Sequence, residues 1–212
     1  MRIVAGLGNP GRKYADTRHN VGWMALDALA ERCGVGPDEY VCDGVRARCG
    51  ELWLFKPLGY MNRSGPPVAR LMQQEGVGPQ DLLVLVDDLN LPLGAIRVRG
   101  SGSSGGHRGL ESLIETLVAE EFPRLRMGIG PLPPGTEARD FVLRRFEPDE
   151  RELADGMAQR AAEAVLCWAT EGLASAMNRF NRRLEDASDS QNEDLPPTGS
   201  TDNEPRTTEE EA

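Results

Sequence analysis

The chain begins with RIVAGLGNPGRKYADTRHNVG, residues Arg2–Gly22, in which a short apolar run leads into a glycine-rich segment. An apolar, β-branched run followed by glycines indicates a strand that ends in a tight loop. Asn9 and His19 lie on that loop. Ligand-binding crevices of open α/β sheets lie at the carboxyl ends of strands, so this loop is a candidate site.

Three interpretations of this loop are open. It can be a plain strand-to-helix connection with a turn at Asn-Pro-Gly. Gly6–Gly11 also fits G-x-G-x-x-G, a dinucleotide-binding pattern, which requires a helix that opens inside it. Arg12–Arg18 has no apolar helical face, and no strand ending in an acidic residue follows at the expected distance. The third interpretation is a catalytic or recognition loop, which depends on what other segments contribute.

Length and charge predict one folded domain and a tail. The chain has 212 residues and 39% hydrophobic content, enough for one sizeable core. Residues 185–212 contain ten acidic and one basic residue, whereas residues 1–184 contain 24 acidic and 23 basic residues. We therefore expect a nearly neutral domain over 1–184, open to a polyanionic ligand, and a disordered acidic tail over 185–212.

No apolar run is long enough to span a membrane, and the chain starts without a signal-peptide pattern. We therefore expect a cytoplasmic protein without a membrane partner. The cysteines form no C-x-x-C pair, and two histidines do not complete a usual zinc set with them. We expect all of the cysteines to be reduced and structural: Cys33, Cys42, Cys49 and Cys167.

The position of the first predicted helix affects the expected pKa of His19. Asn20–Gly34 has near-helical apolar spacing, with Asn20 as a plausible N-cap and Gly34 as a stop. His19 would then lie just before a helix N-terminus, whose dipole disfavours imidazolium and lowers the pKa of histidine. A neutral imidazole is the form that a general base requires.

Strands and helices alternate along the rest of the domain. The patterns predict a hairpin over 45–57, a helix from Ser64 or Gly65, strands over 82–86, 93–99 and 124–130, a helix over 110–118 after a glycine-rich loop, and a helix from Asp149, with Asp149 and Glu152 as a capping box, to Cys167 or on to about Asn181. This alternation predicts a single-domain, three-layer α/β sandwich with a mixed, mostly parallel sheet. We expect the strand ends to gather Asn9, His19, Asn62, Asp87 and His107 at one edge.

Two further segments carry polar groups whose role the pattern leaves open. Asp87 follows the buried run Leu82–Val86, a position from which an acid can orient a catalytic group, although a capping or turn aspartate fits equally well. Tyr60, Met61 and Asn62 lie together on a glycine-bounded loop, where Met61 taken alone is more typical of a core residue.

Five segments of the chain resemble, in order and spacing, the motifs of the bacterial peptidyl-tRNA hydrolase family: GLGNPGRKYADTRHNVG, KPLGYMNRSG, DDLNLPLG, SGSSGGHRGLES and RLRMGIGP. The resemblance covers residues 1 to about 183. It implies a monomeric α/β fold around a twisted mixed sheet, without metal or organic cofactor. It also implies a cytoplasmic enzyme that hydrolyses the ester of peptidyl-tRNA, binds its CCA end and acceptor stem, and contacts stalled 50S subunits transiently.

The resemblance also assigns roles to residues. His19 matches the family's catalytic base, Asp87 the acid that orients it, and Asn9 the residue that distinguishes blocked from unblocked substrate. An activated water would attack the ester, with Asn62 and backbone amides as donors to the oxyanion. The positions expected to bind substrate or tRNA are Tyr14, Tyr60, Met61, Asn62, His107, Arg108, Arg97, Arg99 and Arg126, the last three as a clamp for phosphates.

The chain departs from the family pattern at two positions. Arg108 stands where the family usually has a second asparagine, and arginine cannot accept a hydrogen bond from water. Val86 stands where many members have histidine, which we interpret as packing. The first departure keeps open a non-catalytic RNA-binding relative, similar to intron-splicing factors with this fold. A dinucleotide-dependent enzyme is the more distant alternative.

Overall fold

The structure is a computed structural model, and it describes residues 1–181. The predicted acidic tail, 185–212, lies outside the described residues. In the described part, no helix is both long and apolar enough to cross a membrane.

The described residues form seven strands and six helices. The strands are β1 (Arg2–Gly6), β2 (Glu39–Val41), β3 (Gly44–Cys49), β4 (Leu52–Pro57), β5 (Leu82–Pro92), β6 (Ile96–Arg99) and β7 (Arg124–Gly130). The helices are α1 (Val21–Cys33), α2 (Gly65–Glu75), α3 (Arg108–Leu117), α4 (Ala138–Val142), α5 (Arg151–Glu171) and α6 (Leu173–Phe180). Short 3-10 turns cover Arg18–Asn20, Met61–Arg63 and Pro79–Asp81.

One sheet with the strand order β2-β3-β4-β1-β5-β7-β6 forms the middle layer. Strands β4, β1, β5 and β7 are parallel neighbours, while β2 and β3 at one edge and β6 at the other run antiparallel. The sheet is therefore mixed and mostly parallel at its centre, as the alternation of elements predicted.

Helices cover both faces of the sheet. Leu82 and Val84 face the layer of α2 and α3, whereas Leu83 and Leu85 belong to the core against α1, α5 and α6. A strand covered on both faces excludes water from every side chain, so its sequence is continuously apolar rather than alternating. The run Leu82–Val86 has this property, and the three-layer sandwich is confirmed.

The middle strand β5 extends beyond its neighbour β1, and this offset creates the space for a site. The last register pair of the two strands is Gly6 with Leu85, and the backbone N–H of Leu7 still donates to the carbonyl of Leu85. The strand then continues beside β7 to Pro92, with a register shift after Asp88. Asp87 therefore lies inside a strand rather than at its end, beside the loop that follows β1.

Several predicted boundaries need correction. Residues 93–95 form a turn before β6, and Gly172 separates α5 from α6. The capping box at Asp149 and Glu152 was wrong, because α5 begins at Arg151 after Glu150, without a side-chain cap. The carboxylate of Glu150 instead accepts from the backbone N–H of Glu147 and pairs with Arg18. Neither β2 nor α4 was predicted.

The expectation that all cysteines are reduced was also wrong. Cys33 and Cys49 form a disulfide, and Cys42 and Cys167 are free. The pairing follows from the fold, since the last residue of α1 and the last residue of β3 lie side by side with their Cα atoms 5.8 Å apart. That separation is within the usual range for a disulfide.

Candidate active site

A cleft of about 460 Å³ lies where the loop after β1, the loop after β4, the middle of β5 and the start of α3 meet. Ten of the twelve predicted site residues line it: Asn9, Tyr14, His19, Tyr60, Met61, Asn62, Asp87, His107, Arg108 and Arg126. The other two, Arg97 and Arg99, are exposed on the edge strand β6 and do not line the cleft.

Asn9 is held on the floor of the cleft by two other segments. The side chain of Asn20 accepts from the backbone N–H of Asn9 at 2.9 Å and donates to its carbonyl at 3.0 Å. The Oδ1 atom of Asn9 accepts from the backbone N–H of Met61 at 2.8 Å. Because a backbone N–H only donates, this contact identifies the oxygen of the amide. The Nδ2 atom of Asn9 has no partner among the described residues and remains available as a donor.

His19 and Asp87 are in direct contact, as the paired roles required. The Nδ1 atom of His19 lies 2.7 Å from Oδ1 of Asp87, and the side chains are 12% and 3% exposed. An ionised carboxylate only accepts hydrogen bonds, so Nδ1 carries the hydrogen and Nε2 carries the lone pair. Within residues 1–181, Nε2 of His19 has no hydrogen-bond partner.

The expected direction of the histidine shift was wrong. Burial lowers the pKa of His19, but the charge of Asp87 and its hydrogen bond outweigh burial and raise that pKa above its ordinary value. Burial would also raise the pKa of Asp87, yet the neighbouring imidazoles of His19 and His107 hold it well below the usual range. A contact of 2.7 Å therefore dominates the weaker effect of the helix N-terminus.

A second histidine contacts the same carboxylate. The Nε2 atom of His107 lies 2.9 Å from Oδ1 of Asp87, and the two imidazole centroids are 5.0 Å apart. The Nδ1 atom of His107 accepts from the backbone N–H groups of Gly109 and Leu110, which makes His107 the N-cap of α3.

His19, Asp87 and His107 also have the spacing of a metal site, since their ligand atoms lie within 4.8 Å of one another. However, the ring nitrogens that face Asp87 carry the hydrogens of the two hydrogen bonds. A nitrogen that carries a hydrogen offers no lone pair to a cation. The hydrogen-bonded arrangement and a metal-bound one therefore exclude each other.

The glycines of the first loop serve close packing. A Cβ on Gly6 would lie 2.4 Å from the carbonyl oxygen of Gly22 in α1, and a Cβ on Gly8 would lie 2.7 Å from the ring of Trp23. No helix opens within residues 7–17, since α1 begins only at Val21. The helix start that a dinucleotide site requires is therefore absent from this loop.

Aromatic and basic side chains border the mouth of the cleft. Tyr60 is 58% exposed, and Arg108 is exposed on the first residue of α3. Arg126 lies 3.0 Å from the buried carboxylate of Asp88, which fixes its guanidinium beside the glycine-rich loop. An exposed ring and arginine side chains suit the bases and phosphates of a nucleic-acid end.

Sequence reasoning missed one wall of the cleft. Ala138, Arg139 and Val142 of α4 line it together with Leu143. The element has only five residues, and a single helical turn has no periodic signal to detect.

The missed wall is attached to the histidine loop through Arg18. This side chain is buried, with its guanidinium 4.6 Å from the ring of Phe141, 4.8 Å from the ring of Phe146, and 2.6 Å from the carboxylate of Glu150. The backbone N–H of Arg18 also donates to the carbonyl of Arg144. The residue next to His19 therefore anchors the segment that closes the cleft.

Comparison with known proteins identifies the family. The family model described as peptidyl-tRNA hydrolase matches residues 3–189. The chain belongs to the peptidyl-tRNA hydrolase family. The peptidyl-tRNA hydrolase of Symbiobacterium thermophilum is 47% identical over 186 residues, covering 85% of this chain and 98% of that one. That of Synechococcus is 47% identical over 187 residues, covering 85% and 83%.

Solved structures of peptidyl-tRNA hydrolases agree with this membership. The crystal structure of the enzyme from Acinetobacter baumannii is 33% identical, with a TM-score of 0.78, and the match covers 85% of this chain and 94% of that one. The resemblance of the five motifs and the α/β fold are thus both confirmed. Membership of this hydrolase family also favours an enzyme over the non-catalytic RNA-binding alternative.

Proposed function

We propose that this chain hydrolyses the ester bond of peptidyl-tRNA, with His19 as the general base and Asp87 as the acid that orients it. The observation that carries the proposal is the contact of 2.7 Å between Nδ1 of His19 and Oδ1 of Asp87, which leaves the lone pair of Nε2 available on a cleft-lining ring. General-base assistance from such a group contributes roughly 10²–10⁴-fold to the rate.

The reaction balances with water as the only co-substrate. Nε2 of His19 takes a proton from water as its oxygen attacks the ester carbonyl. The carbon–oxygen bond to the terminal ribose then breaks, and the imidazolium returns the proton to the ribose oxygen. The products are a tRNA with a free hydroxyl and a peptide carboxylic acid, which keeps the second proton of the water and then releases it to solvent as it ionises. Asp87 stabilises the imidazolium between these two steps.

Asn9 accounts for a preference for blocked substrates. Its Oδ1 is occupied by the N–H of Met61, so the group that it offers to the cleft is the donor Nδ2. A donor can bind a carbonyl oxygen of the substrate, either at the ester or in the peptide. A free α-ammonium group carries only donors and finds no acceptor at this atom. Ordinary aminoacyl-tRNA is therefore disfavoured.

The same proposal covers the setting of the enzyme. It would act as a cytoplasmic monomer whose catalytic domain is residues 1–184, with Tyr14, Tyr60, Met61, Asn62 and the arginines at the mouth of the cleft contacting the CCA end. Arg97 and Arg99 would contact the acceptor stem from the edge strand, and the enzyme would meet stalled 50S subunits transiently. A chain ending at Arg183 should keep its activity, since it retains His19, Asp87 and the other described residues that line the cleft.

The test compares hydrolysis of N-acetyl-aminoacyl-tRNA with that of the unblocked form. We expect the wild type to cleave the blocked substrate and to spare the unblocked one. His19→Asn should lower kcat by roughly 10²–10⁴-fold while leaving thermal stability close to wild type. Wild-type turnover by the His19 variant would refute the mechanism, and absence of cleavage by the wild type would refute the function.

A further inference from the structure

The general-base mechanism uses one donor to Asp87, yet the structure provides two. Both Nδ1 of His19 and Nε2 of His107 point at the same oxygen, Oδ1, at 2.7 and 2.9 Å. All three side chains are largely removed from water, with 12%, 3% and 9% exposure for His19, Asp87 and His107. Burying a second imidazole against a carboxylate calls for an explanation of what the second ring does.

The opposite side of the His107 ring fixes its hydrogen. Nδ1 accepts from the backbone N–H groups of Gly109 at 3.1 Å and Leu110 at 3.2 Å. Because both partners can only donate, Nδ1 has no hydrogen, and the neutral ring carries its hydrogen on Nε2. His19 carries its hydrogen on Nδ1. The two histidines are therefore opposite tautomers that meet at one carboxylate oxygen.

We propose that His107 is a positioning residue for the reaction described above: α3 fixes the ring, the ring fixes Oδ1 of Asp87, and Asp87 in turn fixes His19. This inference rests on the proposed function, since it assigns the part of His107 in that reaction. It connects the first turn of α3 to the base through three consecutive hydrogen bonds, from a backbone N–H to His107, from His107 to Asp87 and from His19 to Asp87.

A shared oxygen also adjusts the strength of the base. The N–H of His107 offsets part of the negative charge on Asp87, so the carboxylate stabilises the imidazolium of His19 less than it would alone. Other charged groups bordering this cluster are Arg108 on α3 and the pair Arg126–Asp88 from β7 and β5. Removing the donor at position 107 should therefore raise the pKa of His19 further, because Asp87 then stabilises its imidazolium more strongly.

The tautomers can be observed directly, because the chain contains only two histidines. A long-range proton–nitrogen NMR spectrum of the untagged, 15N-labelled protein near pH 8.5 should show one Nδ1–H ring and one Nε2–H ring. The spectrum of His107→Asn should retain only the Nδ1–H ring, which assigns it to His19. Two Nε2–H rings, or an Nδ1–H ring at position 107, would overturn the inference.

A second measurement separates positioning from helix stability. Asparagine is a good N-cap, so His107→Asn keeps the cap of α3 but loses the N–H donor to Asp87. We expect the acid limb of its kcat/KM–pH profile to move upward by about half a pH unit to one unit, with a reduced plateau. Ile114→Ala is the matched control, because Ile114 packs on the same helix against the core and does not line the cleft.

The control should lose stability without moving the acid limb. An acid limb of His107→Asn that coincides with wild type, or that moves to lower pH, contradicts the proposal whatever happens to the rate. Failure of the wild type to cleave N-acetyl-aminoacyl-tRNA would refute the proposed function instead. In that case the NMR experiment still decides whether His107 holds Asp87.

Discussion

Asp87→Asn tests the central contact of the cleft, because it keeps the shape of the side chain and removes its charge. In the wild type, the carboxylate raises the pKa of His19 above its ordinary value against the effect of burial. The base works only when neutral, so kcat/KM should rise with pH through that raised pKa. Without the carboxylate, burial prevails and the pKa of His19 falls.

The size of the effect follows from the contact. A hydrogen bond to a charged group contributes about 1.5–3 kcal/mol, which corresponds to about one to two pKa units. The acid limb of the variant should therefore move down by that amount. The plateau should fall by roughly 10²–10⁴-fold, because an amide no longer fixes the tautomer of His19 or stabilises its imidazolium. The deficit should accordingly be smaller at pH 5.5 than at pH 8.

The assay is release of N-acetyl-amino acid from blocked aminoacyl-tRNA between pH 5 and pH 9. Asp88→Asn is the matched control, since Asp88 is the next residue and is equally buried but pairs with Arg126. The control should keep the acid limb of the wild type even if substrate binding weakens. A variant at Asp87 with an unmoved limb and a plateau close to wild type would refute the assignment of both residues.

Three other substitutions have defined outcomes. Asn9→Asp replaces the donor facing the cleft by an acceptor, so the preference for blocked over unblocked aminoacyl-tRNA should fall by about tenfold or more in a paired hydrolysis assay; an unchanged ratio would contradict the role of Nδ2. Arg18→Lys removes a guanidinium placed between two aromatic rings and should destabilise the protein by about 2 kcal/mol in urea unfolding. The exposed control Arg97→Lys should stay near wild type, and equal stability of the two variants would exclude an anchoring role for Arg18. Arg108→Asn should reduce the slope of log KM against log salt by about 0.7 if the guanidinium contacts a phosphate, and an identical slope would exclude that contact.

The sequence predicted those parts of the fold whose signals are local. The continuous apolar run Leu82–Val86 indicated a strand covered on both faces, and Gly34 ends α1 in the left-handed conformation, with φ of 64°. The extension of β5 to Pro92 was missed, because DLNLP is short and contains Asp, Asn and Pro, which are depleted in strands, and because the extension depends on pairing with β7. The helix α4 was missed for a similar reason. Its single turn has no periodic apolar pattern, and it is fixed by contact with Arg18.

In the candidate site, too, the local signals were predictable and the contacts between distant residues were not. The order of the motifs identified ten residues of the cleft. It did not show which groups the side chains of those residues contact. Asn20 was expected to cap α1, and its side chain instead holds both backbone groups of Asn9. The pKa of His19 was expected to fall because of the nearby helix start. Its direction was decided by Asp87, 68 positions away in the chain.

The polarity of the cleft is set by backbone N–H groups that no sequence motif displays. The backbone N–H of Met61 donates to Oδ1 of Asn9, which turns the donor end of that amide toward the substrate. In the same way, the backbone N–H groups of Gly109 and Leu110 donate to Nδ1 of His107, which turns the donor end of that ring toward Asp87. Asp87 then accepts a hydrogen bond from Nδ1–H of His19, and the lone pair of that ring is on Nε2.

Each of these side chains could face either way if it were alone, and each is oriented by a group that can only donate or only accept. The result is a cleft with a donor at Asn9 for a carbonyl oxygen and an acceptor at His19 for a water proton. An ester and the water that attacks it need this pair of functions. Reversing either orientation would leave the residues in place but remove the complementarity, so the reactivity of the cleft depends on hydrogen-bond direction as much as on residue identity.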